Sequence, residues 1–310
     1  MKRDIHDVLE SYASNYRVHG LLNDVPPHLV YKAEIDGVRA VCKLAAQERA
    51  TPAVEGRVLE YVESATTVPV PHVLAVGDGY FLTEWCAAAP QEQVSVTESQ
   101  AHVLGVCLAT LHSQTTFENT GLFEAADGLT VEEQNSWSET LVRIMSHVHD
   151  DLAGTGYRDV SERALAFIED HRTFFDEHDS AVLVHGDFVP SHLSFDDGDV
   201  SCVVDWEHAI AGPGEFDYAR CDLHIFDDPV RESGQYREAF QSGYRSVREL
   251  PPCSELRRRA YKALIFTYDI RQGFVQNQRD ESEIRNRSDS FRGYVFDILE
   301  NVAETLDERN

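Results

Sequence analysis

The chain has 310 residues, a formal net charge of −27 at pH 7 and only four lysines, Lys2, Lys32, Lys43 and Lys262. This length is sufficient for one large core or for two lobes. Acidic residues are spread along the whole chain and no basic patch offsets them, which excludes nucleic acid as a partner. The composition favours a salt-adapted, halophilic protein whose acidic surface stays hydrated; attraction of cationic substrates is the other interpretation.

The cysteines and the absence of long apolar runs indicate the compartment. Six cysteines occur without any Cys-x-x-Cys pair, and several lie in apolar runs, which favours buried free thiols under reducing conditions. Residues 1–7 are too polar for a signal peptide, and no apolar run approaches the roughly 18 residues that cross a bilayer. We therefore predict a cytoplasmic protein with no membrane partner.

The first ninety residues carry strand signals around one helix. Apolar segments at 28–35 and 38–44 flank an Asp-Gly pair, which predicts a hairpin. Pro52 opens a segment with apolar residues at helical spacing, and short strands are predicted at 73–76 and 80–85. Together they predict a small mixed unit at the N-terminal end.

The rest of the chain is mostly helical in pattern. Apolar residues at helical spacing predict helices at 98–112, 137–149, 164–175, 231–244, 257–274 and 291–306. The acidic segments 222–228 and 280–283 are predicted to be solvated loops or helix starts. No internal repeat is found.

A second predicted hairpin follows a His-Gly-Asp sequence at residues 185–187. Its strands, 193–195 and 200–204, flank Asp197, Gly198 and Asp199. If Asp197 and Gly198 form the turn, His192 lies opposite Val203, one diagonal from Asp205; if Gly198 and Asp199 form it, His192 lies directly opposite Asp205. Either register puts His192 and Asp205 on one face within reach of each other, whereas a loop of odd length would not.

These residue types suit phosphoryl transfer, in which the protein mainly positions groups and neutralises charge. Asp187 is placed to accept a proton from a substrate hydroxyl. Asp205 and His192 are placed to hold a divalent cation, although Mg²⁺ prefers oxygen ligands. The other interpretation is a surface hairpin with an incidental Asp and uninvolved histidines.

The segment resembles the catalytic and metal-binding core of the aminoglycoside phosphotransferase family. The family pattern is His-Gly-Asp, four residues, Asn, a hairpin, an apolar strand ending in Asp, and a later Gly-Asp-Pro turn and Asp. Here His192 replaces the Asn, which resembles the 2''-phosphotransferase branch, and the turn is loosened to Gly-Pro-Gly at 212–214. The resemblance assigns Asp187 as the catalytic residue and Asp205 as the main metal ligand, while Asp217 braces the catalytic loop or caps the next helix.

The resemblance also implies the fold class, α+β with a protein-kinase-like arrangement. A sheet-rich nucleotide-binding lobe would span residues 1–88, with a hinge near 84–88, and a helical lobe would span 89–310. Lys43, at the end of an apolar strand, would grip nucleotide phosphates. Glu55 would orient it, with Glu48 and Glu60 as competitors.

The remaining roles follow from the same resemblance. The backbone from Glu84 to Cys86 would bond the purine, whereas residues 20–27 hold the place of the phosphate-covering loop but carry one glycine and two prolines. His185 and His112 are expected to be structural.

The predicted function is a small-molecule kinase that uses ATP or GTP with Mg²⁺ and a small hydroxyl substrate, as a monomer or homodimer. The alternative is a catalytically silent, nucleotide-binding regulatory protein of the same fold.

Overall fold

The computed structural model describes residues 4–24, 26–86, 96–132, 136–177, 180–226, 236–252, 254–276 and 280–309. An antiparallel sheet comes first in the chain, and a mostly helical part follows it. The N-terminal elements are helices α1 (Ile5–Tyr12) and α2 (Pro52–Ala65) and strands β1 (Tyr16–Asn23), β2 (His28–Ile35), β3 (Val38–Ala45), β4 (Val73–Gly77) and β5 (Tyr80–Glu84).

The N-terminal sheet is antiparallel with the strand order β1-β2-β3-β5-β4. The predicted turn is confirmed, because Asp36 and Gly37 join β2 to β3 with left-handed φ of 49° and 85°. Such a turn matches the twist of the two strands. The predicted helix also forms, and α2 begins at Pro52, whose fixed φ suits the first helical position.

Two N-terminal elements were not predicted. Helix α1 packs Ile5, Val8 and Leu9 into a core cluster with β2 and β3. Strand β1 pairs with β2 along residues that are half-buried or exposed, so it lacks the alternation of a half-buried strand. Residues 20–27, the expected phosphate-covering loop, include the end of β1 and the turn toward β2, and residue 25 lies outside the described part.

The C-terminal part holds eight described α-helices and six strands. The helices are α3 (Glu98–Gln114), α4 (Trp137–Asp151), α5 (Arg158–Asp170), α6 (Arg172–Asp176), α7 (Gly214–Phe226), α8 (Arg237–Arg245), α9 (Ser254–Gln276) and α10 (Glu281–Asp307). The strands are β6 (Gly121–Ala125), β7 (Leu129–Val131), β8 (Ala181–Val184), β9 (Leu193–Asp196), β10 (Asp199–Val203) and β11 (Ile210–Pro213). Within the described ranges, no helix is both long and apolar enough to cross a membrane.

Several helix boundaries differ from the predicted ones. The helix predicted at 164–175 is two helices, α5 and α6, which divide at His171. The helix predicted at 291–306 begins ten residues earlier as α10, because Ile284 and Ser288 continue its buried stripe among polar residues. Residues 231–235 of the helix predicted at 231–244 lie outside the described part, and α8 covers the remainder.

The prediction of a solvated loop or a helix start at 222–228 was wrong where the structure describes it. Asp222 lies in α7, is buried, and forms ion pairs with Arg237 at 2.9 Å and Lys262 at 3.6 Å. A buried carboxylate requires such partners, so Asp222 belongs to an interior network rather than to a solvated surface. Residues 227 and 228 are outside the described part.

Three separate sheets form, so no continuous sheet joins the N-terminal strands to the hairpin near Asp205 in the described residues. The second sheet is the β9–β10 hairpin, and the third has the order β7-β6-β11-β8. The predicted boundary at residue 88 lies within 87–95, outside the described residues. The expected α+β arrangement, an N-terminal sheet followed by a mostly helical part, is confirmed.

The β9–β10 hairpin has the expected turn but not the expected register. Asp197 and Gly198 form the turn in left-handed conformation, and Asp196 pairs with Asp199. An irregularity between Val200 and Cys202 shifts the later pairs by one residue, so that Leu193, not His192, faces Val203. His192 instead ends a short 3₁₀ helix, and its carbonyl accepts the Val204 N–H at 3.0 Å.

Candidate active site

One cleft of about 610 Å³ lies between the N-terminal sheet and the His-Gly-Asp loop. All seven residues predicted from the sequence as site residues line it: Lys43, Glu55, Glu84, Cys86, Asp187, His192 and Asp205. Residues separated by more than 160 positions along the chain therefore meet in one place. Of the six cysteines, the five described ones are free thiols, and Cys86 is the one at the cleft.

Lys43 is the central cation of the sheet side of the cleft. Its side chain leaves β3 and is only 7 % exposed. Its Nζ lies 2.7 Å from Glu55 Oε2, 2.8 Å from Glu207 Oε2 and 3.3 Å from Asp205 Oδ1. Burial opposes the charge on Lys43, but the carboxylates, with Glu55 first, outweigh it and raise the pKa of its ammonium. The ammonium therefore stays charged in the interior.

Among the described residues, Glu55 is the acid of α2 that pairs with Lys43. Of its two competitors, Glu48 is exposed, and Glu60 pairs with Arg57 at 2.7 Å. Glu55 is 3 % exposed, and burial raises the pKa of its carboxyl to about 7 although the Lys43 ammonium opposes the rise.

Glu207 is a site residue that the sequence reasoning did not assign. It contacts Lys43 as described and also lies 3.1 Å from His28 Nδ1. Although burial favours its neutral form, hydrogen bonds and charge from His28 and Lys43 hold its pKa far below the usual range. The signal was present in the sequence, because Glu207 follows Asp205 by two residues after an apolar strand.

The His-Gly-Asp loop is held in shape by His185. This side chain is fully buried; its Nε2–H donates to the Val204 carbonyl at 3.2 Å, and its Nδ1 accepts the Asp187 N–H at 3.1 Å. Burial lowers the pKa of His185 to about 4, so the ring is neutral, as these two bonds require. The contacts of His185 are those of the structural role expected for it.

Gly186 occupies the bend of the same loop. Its φ is +78°, and a Cβ there would lie 2.3 Å from the His208 carbonyl oxygen. A side chain is therefore excluded by both the left-handed backbone and the close approach of another segment.

Asp217 stabilises the His-Gly-Asp loop by accepting two of its backbone N–H groups. Its carboxylate accepts the His185 N–H at 2.7 Å and the Gly186 N–H at 3.1 Å. His112 Nε2 also donates to it at 3.3 Å, while His112 Nδ1 lies 2.9 Å from the Tyr244 hydroxyl. Although Asp217 is fully buried, these donors keep its pKa below the usual value. Of the two roles expected for Asp217, bracing of the loop is the one that the structure contains, and His112 is structural.

Asp187 lines the cleft, and its carboxylate lies near Arg220 and two histidines. Its Oδ1 lies 3.7 Å from Arg220 Nε and 3.8 Å from His224 Nδ1, and its Oδ2 lies 3.5 Å from His192 Nδ1. Burial would raise the pKa of Asp187, but Arg220 and then the surrounding histidines lower it to about 2. The carboxylate is therefore ionised throughout the neutral pH range.

His192 and Asp205 meet as the sequence predicted, although through the altered register described above. Their Nε2 and Oδ2 atoms are 3.4 Å apart. His192 Nδ1–H donates to the Asp187 carbonyl at 2.9 Å, which leaves Nε2 facing Asp205. Burial opposes protonation of His192, but Asp205 and Asp187 outweigh it and raise its pKa. Asp205 has a left-handed φ of 67°, and its side chain is 38 % exposed.

The far wall of the cleft was not predicted from the sequence. It is built from one face of α7 and one face of α9, whose lining residues are Arg220, His224, Asp269, Gln272 and Gln276. His224 Nε2 donates to Asp269 Oδ2 at 3.1 Å, which ties the two helices together.

The segment expected to bond a purine continues from strand β5. The Glu84 N–H donates to the His72 carbonyl at 2.9 Å, and the Trp85 N–H donates to the Arg39 carbonyl at 2.8 Å. Lys32 Nζ lies 4.9 Å from the centre of the Trp85 ring, which fixes that side chain at the mouth of the cleft. Residues 87 and 88 of the expected hinge are outside the described part.

Solved structures share this fold over nearly the whole chain. A thermostable mutant of aminoglycoside phosphotransferase APH(4)-Ia, in its apo form, matches with a TM-score of 0.66 and 17 % identity over 92 % of this chain and 95 % of that one. Another mutant form of the same enzyme, in a ternary complex with ADP and hygromycin B, matches with a TM-score of 0.64 and 16 % identity over 95 % and 97 %. A microcompartment-associated aminopropanol kinase matches with a TM-score of 0.65 and 18 % identity over 98 % of each chain. At these identities the likeness establishes the fold.

Sequence comparison establishes the family. No curated protein matches the chain. The family model described as "Phosphotransferase enzyme family" (APH) matches residues 27–250, which is more than two thirds of the 310-residue chain. This range contains all seven predicted site residues, and Glu207, Asp217 and Arg220 as well. The chain therefore belongs to the APH phosphotransferase family of kinases.

Proposed function

We propose that this protein transfers the γ-phosphoryl group of ATP or GTP to a hydroxyl of a small metabolite or aminoglycoside-like compound, with Mg²⁺. One observation carries the proposal: the Lys43–Glu55 pair and the ionised Asp187 face the same cleft, with Asp205 between them. Phosphoryl transfer needs cationic groups on the nucleotide phosphates and an acceptor held in line with them. The cleft offers both on opposite walls.

Lys43 is the residue proposed to bind the nucleotide phosphates. In the present arrangement its three donor hydrogens are directed at carboxylates of Glu55, Asp205 and Glu207. Phosphate oxygens would replace Asp205 and Glu207, whereas Glu55 would stay and orient the ammonium. The backbone between Glu84 and Cys86 would meet the purine.

His192 and Asp205 fit a divalent cation. Two ligands of one small cation at about 2.1 Å lie roughly 3 Å apart, close to the 3.4 Å between His192 Nε2 and Asp205 Oδ2. The Nδ1–H of His192 bonds to a backbone carbonyl, the arrangement that orients a metal-binding imidazole. Mg²⁺ would supply charge neutralisation on the phosphates. Glu55, Asp205 and Glu207 also converge within 4.8 Å, but the Lys43 ammonium already lies among them.

Asp187 would hold the acceptor hydroxyl. With a pKa of about 2 its carboxylate is a weak base, so it would chiefly orient the hydroxyl by accepting its hydrogen bond. In a loose transition state the proton leaves late, and positioning provides most of the acceleration. We propose further that residues 1–88 and 89–310 act as two lobes around this cleft; the separate N-terminal sheet supports the division.

The decisive experiment compares variants on the two sides of the cleft. Asp187→Asn should leave nucleotide affinity in calorimetry nearly intact and lower turnover on the order of 10²–10⁴-fold, the contribution of a positioned acid–base group. Asp205→Asn should abolish the metal-dependent part of nucleotide binding. His192→Asn should largely preserve it, because it supplies the amide that the family pattern has at this position.

The rival function, a silent nucleotide-binding regulator, predicts different results. Wild-type protein would then consume no nucleotide with any hydroxyl compound of a metabolite library, at low or high salt. Asp187→Asn would also equal wild type in every assay. Unchanged metal–nucleotide affinity in Asp205→Asn would show that Asp205 is not a metal ligand, but it would leave the kinase proposal standing.

A further inference from the structure

The far wall of the cleft is formed by two helical faces, one of α7 and one of α9, and the α7 face approaches Asp187. On α7, Asp217, Arg220 and His224 follow each other at intervals of three and four residues, so they share one face. Asp217 is bonded to the catalytic loop, which fixes the position of Arg220 one turn later. On α9, Asp269, Gln272 and Gln276 repeat the same spacing.

The Nε–H of Arg220 is buried at this wall without a matching acceptor among the described residues. Arg220 is 7 % exposed and lines the cleft, and its Nε has no hydrogen-bond partner among the described residues. The nearest carboxylate oxygen, Asp187 Oδ1, is 3.7 Å from Nε, which is beyond hydrogen-bond distance. The guanidinium carbon lies 5.1 Å from the centre of the Tyr268 ring, so its position is set by stacking.

An orphaned N–H on a buried guanidinium is costly, on the order of 1–3 kcal/mol or more for a charged group. That cost disappears when a bound molecule brings an anionic oxygen. Arg presents a planar set of donors that matches carboxylates and phosphates. The unpaired Nε–H of Arg220 therefore indicates that the bound molecule carries an anionic oxygen.

The same wall is poorly suited to a polycation. Its carboxylates in the described lining are Asp187 and Asp269, and Asp269 already accepts a bond from His224. An ammonium group there would have to displace His224 and approach the permanent charge of Arg220.

We propose that the acceptor carries a small oxyanion, a carboxylate or a phosphate ester, beside the hydroxyl that is phosphorylated, and that Arg220 binds this oxyanion. The proposal rests on the kinase function above. Hydrogen bonds of about 2.7–2.9 Å to Asp187 and to Arg220 Nε limit the hydroxyl and the oxyanion to a separation of about 9 Å. A hydroxy acid of three to six carbons fits that limit.

Matched acceptors test the proposal on wild-type protein. The probes are glycerate, threonate and gluconate, their neutral primary amides, glycerol 3-phosphate, and the polycation hygromycin B. Binding is measured by calorimetry with a non-hydrolysable nucleotide and Mg²⁺ present, and phosphorylation is measured by product formation. At least one acid or the phosphate ester should bind tenfold or more tightly than its neutral counterpart (for the ester, glycerol). The carboxylate and phosphate arms identify which oxyanion is preferred.

The variants locate the effect at Arg220. Arg220→Gln should abolish the preference for the charged probe while leaving nucleotide affinity unchanged, and Arg220→Lys should restore part of it. Arg258→Gln is the matched control, because Arg258 also lies 5.1 Å above a tyrosine ring, that of Tyr218, and is not among the described residues lining the cleft. It should keep the wild-type preference.

Two results would overturn the proposal. If the neutral amides or hygromycin B bind as tightly as every anionic probe, the acceptor does not need an oxyanion and the proposal is wrong. If Arg220→Gln lowers the binding or phosphorylation of charged and neutral probes equally, Arg220 acts on Asp187 or on the transferring phosphoryl group instead. Either result leaves the kinase function intact, because that depends on nucleotide binding and on the Asp187 and Asp205 variants.

Discussion

Replacement of Lys43 by Met should destabilise the protein in a pH-dependent way. The ammonium of Lys43 lies within 3.3 Å of oxygens from three carboxylates, Glu55, Asp205 and Glu207. Met has a similar length but no charge, so the variant leaves Glu55 buried without its cation. Removal of one partner from a buried ion pair costs about 3–5 kcal/mol, because the other charge is left uncompensated.

The pH dependence follows from the pKa of Glu55. Burial already raises that pKa to about 7 with Lys43 present, and removal of the opposing ammonium raises it further. The carboxyl of the variant therefore takes up a proton near neutrality and loses its charge. We expect the free-energy difference from wild type to be largest at pH 8 and to shrink toward pH 6.

Urea unfolding followed by circular dichroism measures these differences. Lys262→Met is the control, since Lys262 lies 3.6 Å from Asp222, which keeps Arg237 as a second partner. It should cost at most about 1 kcal/mol. The double variant Lys43→Met with Glu55→Gln should recover most of the lost stability but none of the nucleotide affinity. The reasoning is refuted if Lys43→Met is as stable as the control, or if its deficit is the same at pH 6 and pH 8.

Three further predictions concern the loop that carries Asp187. Buried His185 has a pKa of about 4 in the folded protein against about 6.5 in the unfolded chain. Its neutral ring therefore contributes stability that is complete above pH 6.5 and is lost as pH falls toward 4, about 3 kcal/mol in all. Urea unfolding of His185→Gln should lack this pH-dependent part of the stability across that range. Asp217→Asn can accept only one of the two loop N–H bonds and should lose about 2–3 kcal/mol of stability and much of kcat, at unchanged nucleotide affinity in calorimetry. Gly186→Ala should cost on the order of 1–3 kcal/mol and lower kcat, since its Cβ would meet the His208 carbonyl; wild-type stability and kcat in that variant would contradict the loop geometry.

Local signals explain how much of the fold was predictable. The Asp-Gly turns at Asp36 and Asp197 were read correctly, because left-handed φ at two successive residues strongly favours Asp and Gly. Helix α3 was found through its apolar stripe, whereas the first ten residues of α10 were missed, because its buried stripe there includes a serine, Ser288. Strand β1 was missed because most of its side chains are exposed, so no alternation marks it.

The site was predictable where a motif encodes it and not where the fold assembles it. Asp187, Asp205 and Lys43 follow from sequence pattern and family resemblance. The contact between His28 and Glu207 joins residues far apart in the chain, and no local sequence pattern predicts it. The approach of His192 to Asp205 was expected, but the hairpin has a strand irregularity in place of the simple alternation from which it was predicted.

The two buried cations of the cleft would explain how a strongly acidic protein binds the anions proposed above. Exposed charges are screened by salt over about 8–10 Å at physiological ionic strength, whereas buried groups are screened much less. Lys43 and Arg220 are each 7 % exposed, and both line the cleft that Asp187 also lines. The net charge of −27 repels phosphates and carboxylates at a distance, so recognition depends on these two local cations. Because each cation is held among carboxylates or against an aromatic ring, its position is fixed before a ligand arrives. A bound anion would replace the carboxylates around Lys43 or accept the unpaired Nε–H of Arg220, and it would not have to order a flexible surface side chain.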